Sequence, residues 1–405
     1  MAAISDESEP TFRLSMLIYD TRYRSLTIQA VALLGFLLGI GWLISNAAQN
    51  LADLGKPLGF GFLANPAGYD INQRLIEYNS QSSHARAALV GLLNTLLVAV
   101  LGCILATVIG VVVGVLRLSK NWLIAKVMTV YVETFRNVPV LLWIVFAMAI
   151  FIETLPQPRD FRGDDPAASM WLWDSVAFTN RGFYIPMPQF GAGSIVVVVG
   201  FLASLVGIWA YRRYARKKQE ATGEISPVFW VSVGLFFVPA ILLQLIMGSP
   251  ITLQYPELAG FNFRGGIYMR NSLIALWLAL SFYTAAFIAE IVRAGILSVS
   301  KGQTEAASAL GIRPSRTMRL VILPQALRVI IPPLISNYLN LTKNSSLAIA
   351  VGYMDITGTL GGITLNQTGR EMETLLLLML CYLCISLTVS FIMNWYNESI
   401  KLRER

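Results

Sequence analysis

The sequence predicts an all-α polytopic membrane protein with about eight transmembrane helices. The chain of 405 residues is 55% hydrophobic and only 13% charged, with a mean hydropathy of +0.61. Soluble globular proteins carry about 25% charged residues. A bilayer core about 30 Å thick needs about 20 apolar residues per helix. Eight segments reach or nearly reach that length: 27–45, 88–116, 127–153, 193–211, 228–247, 271–292, 328–350 and 374–396.

The first apolar segment follows a polar tail, residues 1–26. Its apolar run is longer than the core of a signal peptide, so we expect a retained anchor rather than a cleaved leader. With the N-terminus inside, the inside segments hold more than twice as many Lys and Arg residues as the outside segments. Because positive residues accumulate in cytoplasmic loops, we expect both termini in the cytoplasm.

Two long segments on the predicted outside, 46–87 and 154–192, are rich in Trp, Tyr and Phe. Such aromatic residues are typical of a membrane–water boundary, so an interfacial belt explains them. A docking surface for an outside partner is the alternative. The sequence leaves both open.

Motifs for catalysis and for nucleotide binding are missing from the sequence. It contains no G-x-x-x-x-G-K-[ST], no G-x-S-x-G and no H-E-x-x-H. We therefore expect no catalytic residues, no metal site and no cofactor in this chain. The net charge of +8 comes without a basic-aromatic stripe, so nucleic acid is not an expected partner.

The remaining distinctive residues favour packing over chemistry. The glycines of "LGCILATVIGVVVG" (101–114) predict close contact between helices. The three cysteines, Cys103, Cys381 and Cys384, lie in apolar runs and are expected to pack as small hydrophobic residues. The single histidine, His84, lies in a polar loop and is expected at the surface.

The stretch "TEAASALGIRPSRTMRLVILPQALR" (304–328) is a basic, alanine-rich segment between two apolar ones. We expect a short helix that starts at Glu305, with Thr304 as its N-cap. Gly311 fits the helix end, and Pro314 prevents simple continuation. The small side chains could contact another protein, or the segment could lie on anionic lipid. The residues alone leave these alternatives equal.

This stretch resembles the EAA loop of ABC importer permeases, EAA-x3-G-x9-I-x-LP. "EAASALG" (305–311) is followed by nine residues and "VILP" (321–324), with Val321 in the isoleucine position as the one departure. Other stretches resemble the polar amino-acid branch, which includes histidine, glutamine and glutamate permeases. They are "GLLNTLLVAVLGCILATVIGVVVGVLRLS" (91–119), "YVETFRNVPVLLW" (131–143), "AAFIAEIVRAGI" (285–296), "LPQALRVIIPPLISNYLNLTKNSSLA" (323–348) and the last span.

The resemblance covers about 91–153 and 267–397 and implies a five-helix core of the ABC type I importer permease fold. The additional anchor and two inserted spans are similar to the enlarged permease of general L-amino-acid importers of Gram-negative bacteria. The implied layout has six parts: a cytoplasmic tail (1–26), an extra span with a periplasmic loop (27–87), a first core part (88–153), an insertion with two spans (154–266), a second core part (267–397) and a cytoplasmic tail (398–405).

The resemblance also implies function and partners. A subunit of this kind moves L-amino acids, polar or of broad range, from periplasm to cytoplasm across the bacterial inner membrane. It pairs with a second homologous permease, usually a different chain, and two separate subunits bind ATP. A periplasmic binding protein delivers the amino acid. The implied ATPase-coupling helix contains Glu305, Ala306, Ala307, Leu310 and Gly311.

Ionisable groups inside spans are costly and raise functional questions. Glu133 and Arg136 lie three residues apart, as do Glu290 and Arg293, so each pair shares a helical face. For Glu133 and Arg136 we favour a structural ion pair over substrate contact. For Glu290 and Arg293 we favour structural pairing or a cytoplasmic gate over a ligand site.

Lys343 lies about 15 residues into the predicted seventh span, roughly 22 Å along the helix. Asn344, Ser345 and Ser346 follow it and extend the polar run. We expect this run to line the substrate pathway. The alternative is a lysine that packs against the partner subunit or reaches towards the interface.

Two other functional classes compete with a transport subunit driven by ATP. A secondary transporter needs an ion-coupling site and often shows an inverted repeat, and the sequence indicates neither. A membrane-embedded enzyme needs a catalytic cluster, which the sequence also lacks.

Overall fold

The computed structural model describes residues 15–53, 55, 58–163 and 165–400. The predicted tails therefore lie outside the described residues over 1–14 and 401–405. Within the described part, eight helices are long and apolar enough to cross a membrane, which confirms the predicted number. They span Tyr23–Asp53, His84–Leu116, Val140–Phe161, Ser194–Thr222, Val228–Ile246, Asn271–Leu297, Pro314–Val351 and Glu371–Glu398.

The helices are α1 (Met16–Tyr19), α2 (Thr21–Asp53), α3 (His84–Leu116), α4 (Trp122–Asn137), α5 (Val140–Thr154), α6 (Ser194–Thr222), α7 (Val228–Ile246), α8 (Asn271–Leu297), α9 (Lys301–Ala309), α10 (Pro314–Thr317), α11 (Leu323–Asn344), α12 (Leu365–Thr368) and α13 (Glu371–Ile400). Short 3-10 segments cover Gly61–Ala64, Pro158–Phe161 and Ser345–Val351. Two π-helical segments cover Met318–Ile322 and Thr357–Thr364.

The core forms around α8, which packs against α3, α4, α5 and α11. Glycines bring α3 and α8 close together. A Cβ added at Gly110 would lie 2.6 Å from Cβ of Ile288, and one at Gly114 would lie 2.7 Å from the carbonyl oxygen of Ala289. The predicted packing role of these glycines is therefore confirmed.

The predicted third span, 127–153, is wrong as a single helix. The chain forms α4 and α5 instead, separated at Val138 and Pro139. Val138 is extended, with φ −104° and ψ 133°. A proline disfavours the helical conformation of the residue before it and lacks a backbone N–H, so the helix ends here and a new one begins.

The insertion contains the two predicted spans as a helical pair. It also contains short strands, which the sequence did not predict. Helices α6 and α7 pack on each other, and Gly200 is close to Leu243. The strands are β1 (Ala177–Thr179), β2 (Gly182–Ile185), β3 (Met187–Phe190), β4 (Ile251–Gln254), β5 (Glu257–Ala259), β6 (Asn262–Arg264) and β7 (Ile267–Arg270). The antiparallel sheets have the orders β1-β2-β7, β3-β4 and β5-β6. Because β7 leads directly into α8, the first sheet attaches the insertion to the core.

The loop before α3 packs on the core, and the expected surface position of His84 is wrong. His84 is only 4% exposed, and its Nδ1 lies 3.0 Å from the hydroxyl oxygen of Thr364. The same hydroxyl lies 3.2 Å from that of Tyr69. Residues 58–83 cover the start of α3. His84 is therefore buried, although the residues before it in the sequence are polar.

The seventh span starts earlier than predicted. Pro314 is the first residue of α10, where its missing N–H has no helical partner to lose. The chain then continues through the π-helical segment Met318–Ile322 into α11. The basic residues Arg316 and Arg319 thus lie at the beginning of this span.

Candidate functional site

Helix α9 and the two residues after it, Leu310 and Gly311, contain the residues predicted to couple the chain to an ATPase. Its N-cap is Ser300, whose hydroxyl accepts a hydrogen bond from the Gly302 N–H at 3.3 Å. The prediction of Thr304 as the cap is wrong, because the helix starts at Lys301 and Thr304 lies inside it. Sequence reasoning overlooked Ser300, which is an equally good capping residue.

The end of α9 is a Schellman motif built on Gly311. Its N–H donates to the Ser308 carbonyl at 2.9 Å, and the Ile312 N–H donates to the Ala307 carbonyl at 3.0 Å. Gly311 has φ +73°, a left-handed conformation that glycine adopts at little cost. The predicted helix end at this residue is confirmed.

Four of the five predicted coupling residues lie on the free surface of α9. Glu305, Ala306, Leu310 and Gly311 are exposed, whereas Ala307 is 4% exposed and packs inwards. Leu310, an apolar side chain, is 79% exposed. The helix therefore presents small and apolar groups outwards.

Helices α8 and α11, which precede and follow the α9 region in the chain, are packed closely together. A Cβ at Gly295 of α8 would lie 2.4 Å from Cγ1 of Ile330 and 3.3 Å from the carbonyl oxygen of Ala326, both on α11. Glycine alone permits this approach.

A charge cluster lies near the same end of α8. Glu290 pairs with Arg293 at 3.1 Å, which confirms the expected pairing, and it also binds the Arg117 side chain at the end of α3. The Arg117 side chain is only 8% exposed. Sequence spacing could not reveal this third member, because Arg117 is distant in sequence from α8.

Glu133 and Arg136 behave differently from the expected ion pair. No salt bridge joins them in the part of the chain that the structure describes. Glu133 accepts a hydrogen bond from the Asn137 amide at 3.5 Å, and the Arg136 guanidinium lies 5.4 Å from the Phe287 ring centroid. The aromatic ring offers the guanidinium a cation–π contact in place of the carboxylate.

A polar cavity of about 280 Å³ lies between α8 and α11. Its α11 wall is a row of three asparagines on one helical face, at positions i, i+3 and i+7. Its α8 wall is aromatic and hydroxylic. The lining residues are Tyr283, Thr284, Phe287, Asn337, Asn340 and Asn344.

Of the predicted pathway run, only Asn344 lines this cavity. Lys343 is exposed on another face of α11. Ser345 is buried, and its hydroxyl donates to the Thr342 carbonyl at 2.7 Å. The Ser346 hydroxyl donates to the Lys343 carbonyl at 2.8 Å. Both serines thus satisfy their own helix and leave no hydroxyl aimed into the cavity.

Sequence reasoning missed Asn337 and Asn340. The helical spacing of the asparagines in "SNYLNLTKN" (336–344) was the available signal. The consecutive polar residues 343–346 formed the more conspicuous pattern. Asn340 and Asn344 each offer two N–H donors and a carbonyl acceptor, whereas the Asn337 amide donates to the Pro333 carbonyl at 3.0 Å. No carboxylate is among the lining residues, and the guanidinium of Arg136 lies near the ring of Phe287, one of those residues. The cavity can therefore bind both a carboxylate and an ammonium group, with a bias towards anions.

Comparison with known proteins places these features in a family. A family model described as "binding-protein-dependent transport system inner membrane component" matches residues 106–403. The chain is 58% identical to the glutamate/glutamine/aspartate/asparagine transport system permease protein BztB of Rhodobacter capsulatus, over 100% of both chains.

Two further relatives are informative. The general L-amino acid transport system permease protein AapQ of Rhizobium johnstonii is 46% identical, over 98% of this chain and 96% of its own length. BztC, which shares its system name and organism with BztB, is 30% identical over 47% of this chain and 44% of its own length. The resemblance to amino-acid importer permeases is confirmed, and it extends through 154–266, which the motifs did not cover.

Proposed function

Because the chain belongs to the family of binding-protein-dependent transport system inner membrane components, we propose that it forms one half of an ATP-driven translocation path for amino acids. It is the permease subunit of an amino-acid ABC transporter, and a multi-pass protein of the inner membrane. The proposal adds a direction, a pathway and a set of partners to that identity. A secondary transporter finds no support among the relatives.

The substrate passes through the polar cavity between α8 and α11. This is the single observation that carries the proposal, because the cavity combines three amides with the hydroxyls of Tyr283 and Thr284 on two helices long and apolar enough to span a membrane, where unpaired polar groups are costly. An amino acid needs donors for its carboxylate and acceptors for its ammonium, and the Asn340 and Asn344 amides supply both, while Asn337 supplies chiefly its carbonyl oxygen. Lys343 lies outside the cavity lining, so its contribution to transport is separate from that of the asparagines.

The substrates are amino acids whose side chains carry a carboxamide or a carboxylate. The amide lining can pair with either group, and the absence of a lining carboxylate avoids repulsion of an acidic side chain. The name of BztB describes transport of glutamate, glutamine, aspartate and asparagine. Its identity to this chain supports the same range here.

ATP hydrolysis by the partner subunits is coupled to transport through contacts with α9. Two ATPase subunits bind the cytoplasmic loops of the permease pair, and they alone bind ATP. The exposed Leu310 and the small residues of α9 fit a groove on such a partner. Because α8 and α11 contact each other at Gly295, closure of the ATPases would move both walls of the cavity together.

The partner permease is a different but homologous chain. BztB and BztC carry one system name, and this chain is much more similar to the first than to the second. A periplasmic binding protein delivers the amino acid to the pair. Both termini of this chain face the cytoplasm, as the distribution of basic residues favours.

Uptake of labelled glutamine tests the pathway in proteoliposomes that contain both permeases, the ATPases and the binding protein. Replacing Asn340 or Asn344 with Leu removes an amide that pairs with a charged substrate group, worth about 1.5–3 kcal/mol. Uptake below saturation should fall by about 10- to 150-fold. Ser336→Leu is the matched control, since Ser336 is exposed on the same helix and lies outside the cavity.

The complexes must assemble equally well for the comparison to hold, so permease yield and basal ATP hydrolysis are measured alongside. Asparagine variants that transport as well as Ser336→Leu would remove the cavity from the pathway. Uptake that needs no ATP would reject the proposed function as a whole.

A further inference from the structure

A buried carboxylate, that of Asp355, lies in the segment between α11 and α13 and outside the lining of the asparagine cavity. Asp355 is 0% exposed. Its Oδ1 accepts a hydrogen bond from the Gly358 N–H at 2.8 Å, and its Oδ2 accepts one from the Tyr382 hydroxyl at 3.2 Å. The Tyr382 hydroxyl also lies 3.0 Å from that of Thr357. One carboxylate therefore connects the start of the 357–364 segment to α13.

Helix α3 holds the other side of the same turn. The Asn94 amide donates to the Met354 carbonyl at 2.8 Å, and the Thr95 hydroxyl accepts from the Ile356 N–H at 3.0 Å. A Cβ at Gly91 would lie 2.8 Å from the carbonyl oxygen of Asp355. The turn is thus fixed to α3 by three neighbouring residues and to α13 by the carboxylate.

The segment held in this way is mostly 3-10 and π-helical rather than α-helical. It consists of a 3-10 stretch, a left-handed glycine at Gly352 with φ +67°, and the π-helical stretch Thr357–Thr364. Such stretches are less favourable than α-helix and often occur at functional sites. Its outer surface borders a cavity of about 440 Å³, here called the 352–367 cavity, whose lining includes Tyr353, Gly358 and Asn366.

We propose that Asp355 is a positioning residue for transport, whose ionised carboxylate holds the 357–364 segment against α13 and thereby sets the shape of the 352–367 cavity. Protonation turns one acceptor oxygen into a donor, so the charge-assisted bonds from Gly358 and Tyr382 weaken. The segment then relaxes and the cavity changes. The transport readout rests on the proposed function, whereas the cavity readout below does not.

The surroundings of Asp355 favour its neutral form. Burial raises the pKa of this carboxyl to about 6, against the lowering effect of the bonds from Gly358, Tyr382 and Thr357. The titratable groups that face it are the phenols of Tyr353 and Tyr382, and the adjoining α3 groups are Gly91, Asn94 and Thr95. No cation of the described residues compensates its charge.

The direction of the linkage separates this effect from denaturation. The folded pKa lies above the ordinary value of 3.8, so the carboxyl contributes stability at low pH that is lost as the pH rises through about 6. Protonation of Asp355 therefore does not unfold the chain. A loss of transport in acid through this residue comes with no loss of thermal stability.

The experiment measures two quantities on the complete complex between pH 5 and 8. The first is uptake of glutamine, whose side chain does not titrate in this range. The second is the rate at which a thiol reagent labels Asn366→Cys in the 352–367 cavity. Thiol reactivity itself changes with pH. The labelling is therefore compared with and without Asp355→Asn, and the parent chain corrects for native cysteines.

We expect uptake to fall several-fold as the pH drops through about 6, and the labelling rate to change over the same range. Asp355→Asn should remove this step from both measurements. Tyr382→Phe removes a bond that favours the ionised form, so both midpoints should move to higher pH. Tyr396→Phe, the same change elsewhere on α13, should leave them in place.

An acid step that persists in Asp355→Asn would overturn the proposal. Unshifted midpoints in Tyr382→Phe would also overturn the proposal. This variant provides the test if Asp355→Asn fails to assemble. Absence of uptake in the unaltered complex would count against the proposed function, while the labelling step would still decide the role of Asp355.

Discussion

Replacing Gly311 with Ala tests whether the shape of α9 matters for coupling. Gly311 has φ +73°, and a Cβ added there meets no atom within 4 Å. The substitution therefore causes no clash, and its cost is that of a left-handed alanine, about 1–2 kcal/mol. That cost falls on the Schellman motif formed by the Gly311 and Ile312 N–H groups.

If the ATPase binds only the intact helix end, this cost appears as lost affinity. A difference of 1–2 kcal/mol corresponds to about a 5- to 30-fold weaker association. The assay is titration of ATPase subunits onto the permease pair in nanodiscs, followed by uptake and ATP hydrolysis on the same samples. Hydrolysis per amino acid moved should rise, because docking becomes incomplete.

Gly302→Ala is the matched control within the same helix. Gly302 has no positive φ, and its added Cβ would meet only the Ser300 hydroxyl at 3.5 Å. Alanine there should strengthen α9 by up to about 1 kcal/mol. Equal affinity of the two variants for the ATPase would refute the argument that the ordered helix end is the contact.

Three further outcomes are expected. Lys343→Ala should reduce uptake while the yield of the permease pair and basal ATP hydrolysis stay unchanged, and lost assembly would indicate packing against the partner instead. Gly91→Ala should lower stability by about 1–3 kcal/mol, because its Cβ would lie 2.1 Å from the Thr359 hydroxyl; Gly207→Ala, with open space around it, should not. Cysteines placed along 193–211 should react poorly with a water-soluble thiol reagent, since α6 packs mainly on α7, and strong labelling would put α6 in the water-filled path.

The number of spans followed from the sequence because bilayer thickness alone sets the length of an apolar helix. The same signal did not show the break at Pro139, because α5 has only 15 residues and a span of bilayer length had to include the preceding stretch with Glu133 and Arg136. It also could not show the short strands of the insertion. Their pairing joins β2 to β7 across more than 80 residues, counted from Ile185 to Ile267, and depends on tertiary contacts.

The candidate sites divide in the same way. The end of α9 was predictable, because helices commonly end at a residue in the left-handed conformation, which is usually glycine. The asparagine cavity was not, because it exists only where α8 faces α11. His84 shows the limit most clearly, since its partner Thr364 lies far along the chain and no local pattern connects them.

The measurement that tests the central claim most directly is uptake of labelled glutamine by the reconstituted complex, with the other amino acids as competitors. The account predicts uptake that requires ATP hydrolysis and the binding protein, persists without ion gradients, and is inhibited most strongly by glutamate, aspartate and asparagine. Uptake driven by an ion gradient in the absence of ATP would contradict it.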